Sequence, residues 1–197
     1  MDLRDPRLLE RLRAGERGAF DDLARRAGPE LLGLARRLLD DEDAARDVRQ
    51  EVLVRAVRSL DRIESAALLG PWLVRVTVNA CRDQRRRDVA RLAAHERSRD
   101  RRPTPPPEDP ATELERADDA ERVALAVRGL PPLEREVVVL RHYHDLTYAE
   151  IADVQGAPLT TVRSRMARGL ERLEERLQEP THHDPTQRDP SQRTTLR

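Results

Sequence analysis

Lysine is absent from this chain. All 37 of its basic residues are arginine, and 37 acidic residues balance them to a formal net charge of +0. Charge summed over the chain therefore says nothing for nucleic acid; what matters is where the charge sits. Aromatics make up only 2%. The single cysteine, Cys81, excludes an internal disulfide and a cysteine metal cluster, and its helix-period neighbours read as the setting of a buried, inert thiol. No apolar run approaches about 20 residues, so neither a membrane span nor a signal peptide is expected, and the expected location is cytoplasmic. Alternating β-branched runs are almost missing. No Ser/His/Asp set, phosphate loop or paired-acid arrangement stands out, so no catalytic machinery and no cofactor are expected. His142, His144, His182 and His183 lack the companions of a metal site and read as surface residues.

What is present is helix-forming. Charged residues and hydrophobic residues each make up 38%, and Ala, Leu, Arg and Glu dominate. The expected fold is all-α, and 197 residues suffice for one or two small domains.

The most informative stretch runs from Leu146 to Leu177. Thr147 followed by Glu150 is a capping-box start, and Ile151, Ala152 and Val154 give the helix an apolar side. Gly156-Ala157-Pro158 breaks it, with Thr160 and Thr161 as candidate caps for the next helix. There Val162, Met166, Gly169, Leu170, Leu173 and Leu177 fall on one side at helical spacing. The other side carries Thr160, Ser164, Ala167 and Arg168, flanked by Arg163 and Arg165. A short helix, a glycine turn and a second helix with a basic, hydroxyl-bearing face is the helix-turn-helix pattern, whose second helix lies in the major groove. Arginine can pair two-pronged with guanine there. A solvated bundle helix is the alternative, and Glu171, Glu174 and Glu175 fit it over the last turns.

Along the rest of the chain, Leu8, Leu9, Leu12, Phe20 and Leu23 begin an amphipathic helical region. Leu31, Leu34, Ala35 and Leu38 follow an expected break at Gly28-Pro29. After the acidic start Asp40 to Asp43, the helix Ala44 to Leu60 buries Val48, Val52, Leu53, Ala56, Val57 and Leu60. Its opposite face holds Asp47, Gln50, Glu51, Val54 and Arg58. Arg49 falls within the apolar stripe and must snorkel outward or find an acid. In the helix Leu68 to Arg87, Trp72, Leu73, Val76 and Ala80 take core spacing while Arg75, Asn79, Arg82, Arg86 and Arg87 project elsewhere. Arg82 to Arg102 is the most basic window, nine arginines against four acids, suited either to a phosphate backbone or to solvent. Five prolines in the ten residues 102–111 read as an extended linker. The organisation expected is a first domain over 1–92, a linker over 93–112, a helix-turn-helix domain over 113–178 and a disordered tail over 179–197.

Two stretches carry a family resemblance. LPPLEREVVVLRHYHDLTYAEIADVQGAPLTTVRSRMARGLERL resembles the C-terminal domain of bacterial sigma factors of the extracytoplasmic-function group. DVRQEVLVRAVRSLD and WLVRVTVNACRDQRRR resemble that group's N-terminal domain, and the likeness covers about residues 15–178. The resemblance implies a non-enzymatic initiation factor that makes core RNA polymerase promoter-specific and is a monomer when free. It implies docking to the polymerase β′ clamp helices through Asp47, Gln50 and Glu51. It implies that Arg75, Asn79, Arg82 and Arg86 meet, melt and hold the downstream promoter element. Arg163, Ser164 and Arg168 would read the upstream element, Thr161 and Arg165 would lie near phosphates, and Pro131 to Leu140 would lie near the β flap. An anti-sigma partner is expected by family habit. The two elements lie about 58 Å apart, taking about 17 base pairs at about 3.4 Å each. A linker of about 25 residues reaches about 80 Å. Departures from the family are Leu53 and Val57 for aromatics, Arg49 for an apolar residue, Arg46 for an acid and Ala167 for a larger side chain. With only Trp72 nearby, and that at core spacing, unpaired bases would need a pocket from the loop Asp61 to Gly70. A stand-alone dimeric regulator and a helical adaptor without DNA are the rivals; neither needs the Asp47/Gln50/Glu51 face for docking.

Overall fold

The computed structural model describes residues 3, 5–98 and 119–178. Among these the protein is helical, with eight α-helices and no strand. The first module contains α1 (Pro6–Arg13), α2 (Ala19–Leu38), α3 (Glu42–Arg58), a 3₁₀ turn (Leu60–Arg62) and α4 (Ala66–Ser98). The second contains α5 (Asp119–Arg128), α6 (Pro132–Tyr143), α7 (Tyr148–Gln155) and α8 (Leu159–Gln178). Helix α4 runs six residues past the boundary expected at 92. Most of the expected linker, and the expected tail, lie outside the described residues.

Helix starts follow from capping. The Asp5 carboxylate accepts from the Arg7 amide, and Asp41 accepts from the amides of Asp43 and Ala44 at 2.8 and 3.0 Å. Helix α2 corrects the expected break at Gly28-Pro29, since it continues through Pro29. Proline there forfeits one backbone hydrogen bond. The apolar positions stay in phase across it, and Leu23, Ala27, Gly28, Leu31, Leu34, Ala35 and Leu38 are all buried. Each fully buried leucine contributes roughly 1.5–3 kcal/mol, enough for the shared face to outweigh a single lost bond.

The first module packs α2, α3 and α4 on one another around Leu31, Leu34, Val52, Leu69, Leu73 and Val78. Val57, expected in this core, is 41% exposed, because α3 ends at Arg58 and the chain turns away. Arg49 finds no acid among the described residues: it is half-buried, its Nε is buried without a hydrogen-bond partner, and its Cδ stands about 4.0 Å from where a Gly28 Cβ would be. Cys81 is fully buried, and burial pushes its thiol up to about 12, as suits an inert core group.

The second module packs α8 across α6 and against α7. Their closest approach is at Gly169, where an added Cβ would meet Val138 at 3.0 Å. Leu170, expected on the apolar side, is 44% exposed, whereas Gly169 and Leu173 beside it face the core. Helix α6 is buried on all sides from Glu134 to Leu140, since one side meets α8 and the other meets α2 of the first module.

Candidate nucleic-acid and partner interfaces

The helix-turn-helix forms as its residues dictate. The Thr147 amide donates to Glu150 Oε2 at 2.7 Å, and the Glu150 amide donates back to Thr147 Oγ1 at 3.3 Å. The Thr147 backbone, then its hydroxyl, holds the Glu150 carboxyl below the usual range. Gly156 takes φ 59° in the left-handed region and turns the chain. The expected threonine caps do not form. Helix α8 begins at Leu159, so Thr160 and Thr161 lie inside it, and the Pro158 carbonyl accepts from the amides of Thr161 and Val162.

On α8, Arg163, Ser164, Ala167 and Arg168 are exposed, and Thr161 and Arg165 are half-buried. The apolar side, Val162, Met166 and Gly169, is buried as expected. Ser164 Oγ donates to the Thr160 carbonyl at 3.0 Å, so it must rotate before it can meet a base. Among the described residues Arg163 has no ion-pair partner. Two acidic or amide groups that sequence reasoning overlooked hold the others. Arg165 Nη1 donates to Gln155 Oε1 at 2.7 Å. Glu134 accepts from Arg172 and stands 3.6 Å from Arg168 Nε. Nothing in local periodicity marks Glu134 or Gln155, because their partners come from another helix.

The candidate downstream residues Arg75, Asn79, Arg82 and Arg86 form one stripe along α4. Arg75 and Asn79 are exposed, and Arg86 is exposed and paired with Asp83. Arg82 is half-buried against the second module, with Nη2 at 2.5 Å from Glu136 Oε2. Trp72, expected in the core, is instead half-buried at a cleft of about 390 Å³ between the modules. Trp72 packs against the core and shares the cleft lining with Ile63, Leu68 and Arg75. The region expected as the loop Asp61 to Gly70 contributes here, although it is largely helical, with irregular chain only between the 3₁₀ turn and α4.

The α3 face is open. Asp47, Gln50, Val54 and Arg58 are exposed, and Glu51 is half-buried in a 2.5 Å pair with Arg55. With Gln84, Arg87 and Arg91 of α4 they line a cleft of about 900 Å³. Another correction concerns His144, expected at the surface. Its side chain is 4% exposed at the boundary between the modules, with Nδ1 3.3 Å from Glu30 Oε1 but not aligned for a hydrogen bond. Among the described residues no group of His, Cys, Asp and Glu could hold a metal ion, and no helix is long and apolar enough to cross a membrane.

Residues 23–91 match the Sigma-70 region 2 family, and residues 120–173 match Sigma-70 region 4. The RNA polymerase sigma-H factor of Pseudomonas aeruginosa is 30% identical over 194 residues, covering 88% of this chain and 94% of its own length. The ECF RNA polymerase sigma-E factor of Haemophilus influenzae is 31% identical over 191 residues, covering 89% and 96%. The chain belongs to the extracytoplasmic-function sigma factors. As a sigma factor it directs promoter-specific transcription initiation. Both sequence-expected modules are those the family names, in the expected order. Among solved structures, CnrH in complex with the cytosolic domain of CnrY is 28% identical with a TM-score of 0.62, covering 88% of this chain and 97% of that one.

Proposed function

We propose that this sigma factor docks on the β′ clamp helices of core RNA polymerase through the α3 face of Asp47, Gln50 and Glu51. The observation that carries this is the exposure of that face beside an open cleft, with Asp47 and Gln50 unpaired among the described residues. The face lies away from the apolar side of α3 that meets α2, so a partner can cover it without disturbing the core.

The two DNA surfaces follow. Arg163, Ser164 and Arg168 read the upstream element in the major groove, with Thr161 and Arg165 at phosphates. Arg75, Asn79, Arg82 and Arg86 meet the downstream element. Melting is supported by Trp72, whose half-buried ring lies on α4 near Arg75 and comes free for base stacking once the second module leaves. Pro131 to Leu140 lies near the β flap once the modules part. The chain is not itself a catalyst; it acts as a monomer before polymerase binding, in the cytoplasm where polymerase works. CnrH is solved in complex with the cytosolic domain of CnrY, and that complex supports a protein partner for this chain, which we read as an anti-sigma factor.

Run-off transcription with purified core polymerase on a genomic fragment library tests the reading. Discrete transcripts that need the added chain are the expected result. Failure of the core enzyme to take up the folded chain would remove the docking assignment.

A further inference from the structure

Glu136 is buried to 0% exposure at the meeting of the two modules. A carboxylate is not held there without partners. Arg82 supplies Nε at 3.2 and 3.1 Å and Nη2 at 2.5 Å; Arg85 supplies Nη2 at 2.6 Å. Gln155 Nε2 adds a contact of 3.3 Å. Arg82 and Arg85 lie three residues apart on α4, so both project from one side of the helix. Two guanidinium forks converging on the oxygens of one anion is equally the arrangement that grips a phosphate. Arg85 Nη1 is buried and still without an acceptor, so the carboxylate leaves donor capacity unused.

The cover extends along the stripe. Arg75 borders a cleft whose other wall holds Glu150 and Asp153 of α7. The second module thus lays three carboxylates over the α4 face, one of them in direct contact. From Arg82 to the recognition helix there are two intervening residues, Glu136 and Gln155, joined by contacts of 2.5, 3.3 and 2.7 Å. Two DNA-facing surfaces held this close cannot meet promoter elements about 58 Å apart. The modules must part before both elements are bound.

We propose that Arg82 and Arg85 form a phosphate-binding fork for promoter DNA, and that Glu136 occupies this fork in the free chain until the modules separate. Arg85 becomes a DNA contact in addition to the stripe Arg75, Asn79, Arg82 and Arg86. The inference rests on the reading of α4 as the downstream-element surface.

The test uses the full chain, free and with core polymerase, and a labelled duplex carrying its promoter. Glu136→Gln keeps the side-chain size and removes the charge. In the free chain it raises duplex affinity about tenfold at 0.1 M salt and steepens the log–log salt dependence by about 0.9, the value for one phosphate. X-ray scattering shows a larger radius of gyration. Adding Arg82→Ala and Arg85→Ala to that variant abolishes the gain. A folded Glu136→Gln chain with unchanged affinity and slope overturns the proposal. Arg85→Ala decides independently if Glu136→Gln does not fold. A covered fork predicts about tenfold lower promoter occupancy in holoenzyme and no loss in the free chain; equal losses, or none in holoenzyme, overturn it. Arg82→Ala separates the two levels. Full occupancy in holoenzyme removes the α4 reading itself, whereas reduced occupancy beside an unresponsive Glu136→Gln removes the cover alone.

Discussion

On α8, Arg163, Ser164 and Arg168 stand in solvent, while on α4 Arg82 is folded onto a buried carboxylate. Both surfaces belong to arginine-rich helices of similar composition. The difference lies in what packs beside them. Helix α8 lies on the outer side of its module, with Val162 and Met166 inward and its basic side outward. Helix α4 is flanked by α2 and α3 on one side and by α6 and α7 on the other, so its basic stripe becomes part of the boundary between modules. An identical residue type is thus exposed in one place and covered in the other. Burial of an ion pair is weak evidence for stability, since desolvation opposes the Coulomb attraction. The packing of α6 on α2, the pair of Arg135 with Asp40 at 2.9 Å and the cation–π stack of Arg37 on Tyr143, at 4.0 Å, share the work of closure.

The largest expected effect comes from the third surface, the α3 face, which no described residue covers. Glu51→Arg reverses the charge on the α3 face and should lower holoenzyme formation more than a hundredfold, since a like-charge mismatch costs several kcal/mol. Fluorescence anisotropy with core polymerase measures it, and circular dichroism checks the fold. The free variant should keep the closed radius of gyration; an opened chain would mean that α3 takes part in closure.

Core truncation asks whether the two modules unfold as one. Leu73→Ala in the first module and Ile151→Ala in the second each remove a fully buried side chain and should cost roughly 2–5 kcal/mol. Thermal unfolding followed at Trp72 and, separately, by DNA binding of α8 distinguishes the outcomes. Coincident transitions for both variants would mark a single cooperative unit. Separate transitions would mark two modules held by a releasable contact, and the second result is expected.

Arg168→Ala should cost about 1–3 kcal/mol of discrimination at the upstream element. Competition binding of holoenzyme to base-substituted promoters reads it. Equal weakening of every sequence would make Arg168 a phosphate contact and leave Arg163 as the base reader.

The smallest effect is a pH dependence of closure. Burial holds the His144 imidazole below its ordinary 6.5, against the opposing pull of Glu30; Arg37 reinforces the burial. The neutral ring therefore favours the closed fold. That contribution is complete above pH 6.5 and is lost as pH falls through the folded value. Scattering between pH 7.5 and 5.5 should show a slight opening that His144→Gln removes. An unchanged radius in the parent chain would take His144 out of the closure.

Much of each helix was legible because its causes are local. Thr147 and Glu150 specify a capping box, Gly156 a left-handed turn, and Val162, Met166 and Gly169 an inward side, and all three form. Pro29 misled because proline's local penalty was weighed without the in-phase apolar face that carries α2 through it. His144 and Trp72 misled in opposite directions. One is buried and the other opened at the boundary between modules, a place that periodicity within a helix does not describe.

From residue order alone came the helices, the two modules, the family and the three faces with charge to spare, since capping, periodicity and motif act over a few residues. The tertiary structure decided which face is available. Glu136 lies 54 residues from Arg82 along the chain, yet it meets that guanidinium at 2.5 Å. No local pattern encodes that pairing; it arises because α2 and α6 pack together, with Arg135 of α6 bonded to Asp40 at 2.9 Å and to the Leu38 carbonyl at 3.4 Å, and bring their charges to one boundary.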